Sequence, residues 1–235
     1  RCWRGKNMAQ IDETIKQEKQ RIMQMHLFEQ EAYQRGFKAV AGIDEVGRGP
    51  IAGPVVAGAV ILPQNFFLAG VNDSKKLSAS KREFLAREIK QQALSWAVTY
   101  IFCPRLDEIN IYQATIEAMK LAVANLNPQP DFLLIDAMKL SDINIKQQSI
   151  IKGDTLSMSI ACASIIAKVE RDNLMQSLDE IYPGYGFAQH KGYATRGHIE
   201  ALITNGPCSL HRVSFEPVKS MVSGGNYGEQ PSLFK

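Results

Sequence analysis

Phe37-Lys38-Ala39-Val40-Ala41-Gly42-Ile43-Asp44-Glu45-Val46-Gly47-Arg48-Gly49-Pro50-Ile51-Ala52-Gly53-Pro54-Val55-Val56-Ala57-Gly58-Ala59-Val60-Ile61-Leu62 is the stretch on which the fold turns. Phe37–Ile43 reads as a strand that runs into two acids. Val55–Leu62 is a nearly continuous apolar run of strand length, closed by Pro63. Between them lies a turn punctuated by glycine and proline. Two core strands joined through such a turn, with acids at the end of the first, place chemistry on the rim of a sheet.

Outward from this stretch, strands and helices alternate. Ser80-Lys81-Arg82-Glu83 reads as a capping box opening a helix to about Leu94, and Trp96–Phe102 as a strand. A helix is expected from near Asn110 to Leu126, closed by Asn127-Pro128-Gln129-Pro130. Phe132–Ile135 is a short apolar strand ending at Asp136, and Gln148–Ile151 reads as another. Ser157 to about Leu178 is a long helix whose first half carries small residues suited to close packing on a sheet. Tyr182–Arg196, rich in glycine and tyrosine, reads as a loop, and Ile199–Thr204 as a helix. Upstream, Ile11 to about Arg35 has helical spacing and stops at Gly36, as a helix or helix pair that packs on the domain or helps hold substrate, packing being the expectation. The alternation predicts a layered α/β domain. The expected boundaries are an N-terminal helical extension over 1–36, a catalytic domain over 37–220 and a polar tail over 221–235, starting at Gly224-Gly225.

With 235 residues, 45% hydrophobic and 22% charged, the chain can bury a full core. The net charge of +3 does not by itself announce a nucleic-acid partner. No apolar run is long enough to span a membrane. Arg1-Cys2-Trp3-Arg4 does not read as a secretory signal. Cys2, Cys103, Cys162 and Cys208 contain no C-x-x-C pair, so free thiols in a reducing cytoplasm are the expectation. His190, His198 and His211 lack metal-site spacing and read as surface residues or supports of a site.

Four acids stand out: Asp44 and Glu45 after one strand, Asp136 after another, and Asp154 just ahead of a helix in Lys152-Gly153-Asp154. Converging carboxylates need raised pKa values or cations, and hard oxygen donors select Mg²⁺ or Mn²⁺. Singly, an Asp after a strand is more often a turn residue or cap, by roughly two to one; the signal is the combination. Gly47-Arg48-Gly49 offers an unobstructed main chain, to a sugar hydroxyl, to a phosphate, or merely to a hairpin. Asp73-Ser74-Lys75-Lys76-Leu77-Ser78 suits a phosphate or a solvated charge run. Tyr193 can stack on a sugar or base, or pack over the core.

Taken together, Gly42–Pro50, Asp73–Leu77, Ile135-Asp136-Ala137, Lys152-Gly153-Asp154 and Ala163–Asp172 resemble bacterial ribonuclease HII, a type 2 ribonuclease H. The resemblance covers about residues 37–215. It implies a ribonuclease H-like fold, a mixed central sheet flanked by helices with a helical C-terminal part. It implies that Asp44, Glu45, Asp136 and Asp154 bind the catalytic Mn²⁺ or Mg²⁺. It implies that Gly47-Arg48-Gly49 contacts the ribose 2′-hydroxyl and that Tyr193 packs on the sugar 3′ of the ribonucleotide; Ser74, Lys75 and Lys76 are expected on the substrate-binding surface from their own phosphate-suited pattern. The implied activity is two-metal-ion hydrolysis of the RNA strand in RNA–DNA hybrids. It extends to cutting 5′ of ribonucleotides embedded in duplex DNA, with 3′-hydroxyl and 5′-phosphate ends and a role in ribonucleotide excision repair. A cytoplasmic monomer with a nucleic-acid partner and no membrane is expected. Two other classes remain as alternatives: a phosphotransferase using Gly47–Gly53 for a nucleotide phosphate, and a non-catalytic nucleic-acid-binding module.

Overall fold

The computed structural model describes residues 8–223, with side chains from residue 12, so the tail expected from Gly224 lies outside the described residues. Five strands form one mixed sheet in the order β3-β2-β1-β4-β5. They are β1 (Val40–Val46), β2 (Val55–Ile61), β3 (Ser95–Ile101), β4 (Phe132–Asp136) and β5 (Lys146–Ile150). The central strands read as continuous apolar runs because both faces are covered: every residue of β2 is buried. The edge strands show it in their sequence, β3 by alternating burial and β5 by being polar. At the β5 edge, the Gln147 amide pairs with both backbone groups of Leu140, each at 2.8 Å.

The chain divides into two compact units. The first comprises Arg1–Asp44, Gly58–Val98 and Met119–Val169. It holds α1 (Met8–Met25), α2 (Leu27–Gln34), α3 (Ala79–Gln92), α5 (Gly153–Leu156) and the first half of α6 (Met158–Ile181). The second comprises Glu45–Ala57, Thr99–Ala118 and Glu170–Lys235, with α7 (Phe187–His190), α8 (Arg196–Asn205) and α9 (Val218–Val222). The remaining helix, α4 (Arg105–Ala124), runs through both segments of chain.

In the first unit the small-residue face of α6 lies on the sheet as its sequence predicts. A side chain on Gly42 of β1 would place its first carbon 2.1 Å from the Ser159 backbone, so only glycine permits the approach. The N-terminal helices are built into this core. Ile22 and Met25 are buried against α3 and α6, and Ala32 against Phe132 and Ile160. Burying Ile22 and Met25 stabilises by roughly 3–6 kcal/mol, comparable to the net stability of a whole domain. Glu29 of α2, 2% exposed, turns Oε1 onto the start of α6. It accepts from Ser159 N at 2.9 Å and from the hydroxyls of Ser157 and Ser159, both at 2.6 Å.

Several local expectations are corrected. The cap of α3 is Ser78, whose hydroxyl accepts from Lys81 N, and not Ser80. Asp154 does precede the long helix α6, but it also lies within a short helix of its own, α5. The Tyr182–Arg196 loop contains the one-turn helix α7. α4 starts at Arg105 and breaks at Asn110 (φ 67°), whose Oδ1 accepts from Tyr112 N and Gln113 N and restarts the helix where the sequence predicts it.

In the second unit the Gly47–Pro54 connection is stitched down by its neighbours. Ile51 N donates to Gly192 O, Gly53 N to Leu210 O and Arg212 N to Ile51 O, each at 2.9 Å. Ala52 pairs with His211 in an antiparallel bridge. Two apolar clusters lie beneath, one around Ala52, Met175, Phe187 and Leu210, the other around Ile51, Leu202 and Val218. Cys103, Cys162 and Cys208 are free thiols. No described helix is long and apolar enough to cross a membrane.

Candidate active site

The acids of the first unit are set by strand register. β1 and β4 run parallel, and their pairing ends at Ile43 opposite Ile135. One step further, Asp44 and Asp136 come side by side on strands about 4.8 Å apart, pointing to the same face. Asp44 is 5% exposed and Asp136 half-buried. Asp136 Oδ1 accepts from Gly153 N at 2.6 Å, which fixes the carboxylate against the start of α5 and brings Asp154 into the same field. Burial pushes the Asp154 carboxyl above its ordinary pKa, and the negative charges of Asp136 and Asp73 push it further, while Lys75 and Lys76 draw it down.

This cluster stops short of a closed cage. Among the described residues no three His, Cys, Asp or Glu side chains meet closely enough to hold an ion by themselves. An open, all-oxygen cluster under like-charge strain fits Mg²⁺ or Mn²⁺. Such ions are held through one or two carboxylates, with waters and substrate phosphates completing the shell. Asp73, within the electrostatic reach of Asp154, caps a 3₁₀ turn over Ser74–Lys76 by accepting from Lys75 N. Lys75 and Lys76 are exposed. Ser74 is turned inward, its Oγ 3.0 Å from Ser164 Oγ, so its hydroxyl works within the fold.

Glu45 belongs to the second unit, where its Oε1 lies 3.4 Å from Arg48 Nη1. Exposed Gly49 lies beside the Tyr193 ring: a methyl built on Gly49 would stand 3.8 Å from Tyr193 Cε1. The two sugar-reading candidates are thereby brought together. Arg48 and Tyr193 are also exposed.

Three histidines support Tyr193, and His198 and His211 are buried rather than on the surface. Cys208 N donates to His211 Nδ1 at 2.9 Å, which puts the proton of a neutral His211 on Nε2. That nitrogen lies 3.1 Å from His198 Nε2, so His198 carries its proton on Nδ1 and donates it to Tyr193 O at 2.9 Å. His190 stacks on His198 with ring centres 4.1 Å apart and accepts from Gly192 N. Desolvation lowers the pKa of His198 and of His211 to about 4.

Two further residues carry no assignment from the sequence, Arg171 and Arg212. Both are fully buried and hydrogen-bonded to the carbonyls of the Gly47–Pro54 connection. Arg171 stands between Glu170 and Asp172, and Arg212 follows His211, so nothing in the sequence marks either arginine as buried. Only the histidines offered a signal, by recurring within one loop-rich region.

A mixed five-stranded sheet of this order, flanked by helices and with acids at the carboxyl ends of adjacent parallel strands, is a ribonuclease H fold. Solved structures bear this out. The ribonuclease H2 of Pyrococcus horikoshii superposes with a TM-score of 0.67 at 24% identity, over 79% of this chain and 98% of that one. The ribonuclease HII of Archaeoglobus fulgidus, solved as a complex with PCNA, gives 0.64 at 29% identity, over 76% and 96%. The family model for ribonuclease HII matches residues 41–218. A ribonuclease HII of Syntrophomonas wolfei subsp. wolfei is 63% identical over 218 residues, 93% of this chain and 86% of that protein. The chain belongs to the ribonuclease HII family. It is an endoribonuclease that hydrolyses the RNA strand of RNA–DNA hybrids.

Proposed function

We propose that the enzyme also cuts on the 5′ side of single ribonucleotides embedded in duplex DNA, leaving 3′-hydroxyl and 5′-phosphate ends. The observation that carries this reading is the exposed main chain at Gly49 beside the Tyr193 ring. A surface able to check one sugar needs only one ribonucleotide. Gly47-Arg48-Gly49 would read the 2′-hydroxyl, the group that separates RNA from DNA. Tyr193 would pack on the next sugar in the 3′ direction. Lys75 and Lys76 would meet a phosphate, and Ser74 beneath them would hold their turn to the fold.

Asp44, Asp136, Asp154 and Glu45 would hold two divalent ions, Mn²⁺ or Mg²⁺. When bound, these supply a polarised water and neutralise charge on the leaving 3′-oxygen. The protein's share is positional. Asp44 and Asp136 present oxygens from adjacent strands, and the Gly153 N–H keeps Asp136 from rotating away. The 2′-hydroxyl is read and not used as nucleophile, so no cyclic product is expected. We place the enzyme in the cytoplasm, acting as a monomer in ribonucleotide excision repair.

The test is a duplex carrying one ribonucleotide, end-labelled, with the cut mapped and the metal varied. A single product ending in a 3′-hydroxyl immediately 5′ of the ribonucleotide is expected. Cutting only within runs of ribonucleotides, or on the 3′ side, would reject the proposal. Tyr193→Ala should lower cutting at the lone ribonucleotide more than on a uniform hybrid.

A further inference from the structure

Each buried guanidinium spends its donors on the main chain. Arg212 donates from Nε to Gly53 O (3.0 Å), from Nη1 to Arg48 O (2.9 Å), and from Nη2 to Gly47 O (2.6 Å) and Gly53 O (2.8 Å). Arg171 donates from Nε to Pro54 O (3.0 Å), from Nη1 to Lys191 O (3.0 Å) and from Nη2 to Ala52 O (3.4 Å). Both side chains are 0% exposed. Desolvation lowers both pKa values, that of Arg212 to about 10.

Burying a guanidinium costs several kcal/mol unless dipoles replace its water. Here the dipoles are the carbonyls of one connection and of its neighbour at Lys191. The arrangement dictates where the opposite ends of those peptides point. In a trans peptide the N–H lies antiparallel to the C=O. With Gly47 O and Arg48 O drawn onto Arg212, the N–H groups of Arg48 and Gly49 must aim away from it. Among the described residues neither donates to a backbone carbonyl. Gly49 is exposed beside Tyr193, so its N–H is directed where a sugar would sit. Arg171 ties the same connection to Lys191, two residues before Tyr193, and thus sets the spacing of the two reading elements.

We propose that Arg171 and Arg212 are positioning residues for ribose recognition, aiming the Arg48 and Gly49 N–H groups before substrate arrives. The inference rests on the reading of Gly47-Arg48-Gly49 as the 2′-hydroxyl reader. The planar fork offers five donors in fixed directions; a lysine keeps the charge but has three donors on one atom and cannot reach carbonyls spread along the connection.

The experiment compares binding of two duplexes that differ at one 2′-position, hydroxyl against hydrogen, with Ca²⁺ replacing the ion that supports cleavage. Arg212→Lys and Arg171→Lys are each expected to lower the preference for the hydroxyl duplex about tenfold, the worth of one well-made hydrogen bond. Affinity for the all-DNA duplex should stay within about twofold, because the exposed basic residues that meet phosphate are untouched. Unchanged preference, or parallel loss for both duplexes, would overturn the proposal. A wild-type protein that binds both duplexes equally would instead sink the sugar-reading role itself. Amide exchange in the unaltered protein gives an answer even where a variant does not fold. Ile51 and Gly53 N–H should exchange slowly without nucleic acid, and fast exchange there until a hybrid binds would refute a reader built in advance.

Discussion

A carbon placed on Gly47 would lie 2.3 Å from Arg171 Nε, and the residue sits at φ +88°, whereas at Gly49 the nearest neighbour is 3.8 Å away. Two glycines of one motif therefore answer to different constraints, one from beneath and one from outside. Gly47→Ala should cost about 2–4 kcal/mol through strain and displacement of a buried arginine, seen as a lowered Tm. Gly49→Ala should leave the Tm within a few degrees, since about 0.5 kcal/mol is typical of an unencumbered surface site. Its methyl would nonetheless occupy the face offered to a sugar, so cleavage at a lone ribonucleotide should fall sharply. A Gly49→Ala enzyme that cuts normally would remove main-chain sugar reading from this loop. Asp136→Asn tests the other half of the chemistry. The amide oxygen can still accept from Gly153 N, so the local turn survives while the charge is lost. Cleavage should drop at least about a hundredfold, with hybrid binding retained. Normal cutting by that variant would dismiss Asp136 as a ligand.

At the scale of elements, strands and long helices were legible because burial imposes a period that residues cannot hide. β2 and β4 read as apolar runs, and α6 announced its sheet-packing face through its small residues. The helices α5 and α7 were illegible because four residues are too few to show any period. Asp44 and Asp136 could be chosen from their place at strand ends, but only the β1–β4 register puts them side by side. The capping box at Ser80 was read as the start of α3, whereas Ser78 caps it two residues earlier. Arg82 accompanies the earlier start, donating to Ser74 O and Leu77 O, both at 2.7 Å. The N-terminal helices gave no hint of Glu29, a charge that by composition belongs on a solvated face. It adds to the cap that Ser157 gives α6, whose hydroxyl accepts from Ile160 N at 3.3 Å, by taking the Ser159 N–H. Glu29→Ala would leave the Ser159 N–H and one buried hydroxyl without an acceptor, since the two hydroxyls lie 3.2 Å apart and only one can donate to the other, at a cost of about 2–4 kcal/mol. Thermal unfolding should register this, with Glu29→Gln intermediate because it still offers an oxygen. A loss under about 0.5 kcal/mol for Glu29→Ala would mean the cap is dispensable.

For the molecule as a whole, family and chemistry were legible in short motifs, because strand-end acids and main-chain-exposing glycines leave little freedom of residue type. The buried arginines and imidazoles of the second unit were not, since one buried arginine or histidine looks like any exposed one. The imidazoles make a prediction about stability against pH. Neutral His198 and His211 each fill donor and acceptor positions. Protonating His211 Nδ1 would turn it against the N–H of Cys208 that it now accepts. The ordinary pKa of 6.5 applies in the unfolded chain, and about 4 in the folded one. Between these values the unfolded state binds the extra protons, so stability is intact above pH 6.5 and falls as the pH drops toward about 4. The loss is on the order of 3 kcal/mol for one such imidazole, and the two titrate as a coupled pair. Urea unfolding at intervals from pH 8 to 4 measures it. Carboxylates also contribute to the acid limb, so the informative quantity is the difference from His211→Gln. That variant starts less stable, and its deficit relative to wild type should shrink as the pH falls below 6.5. A deficit constant across the whole range would mean that His211 takes up its proton equally in both states, and the ordered chain from Cys208 to Tyr193 would have to be abandoned.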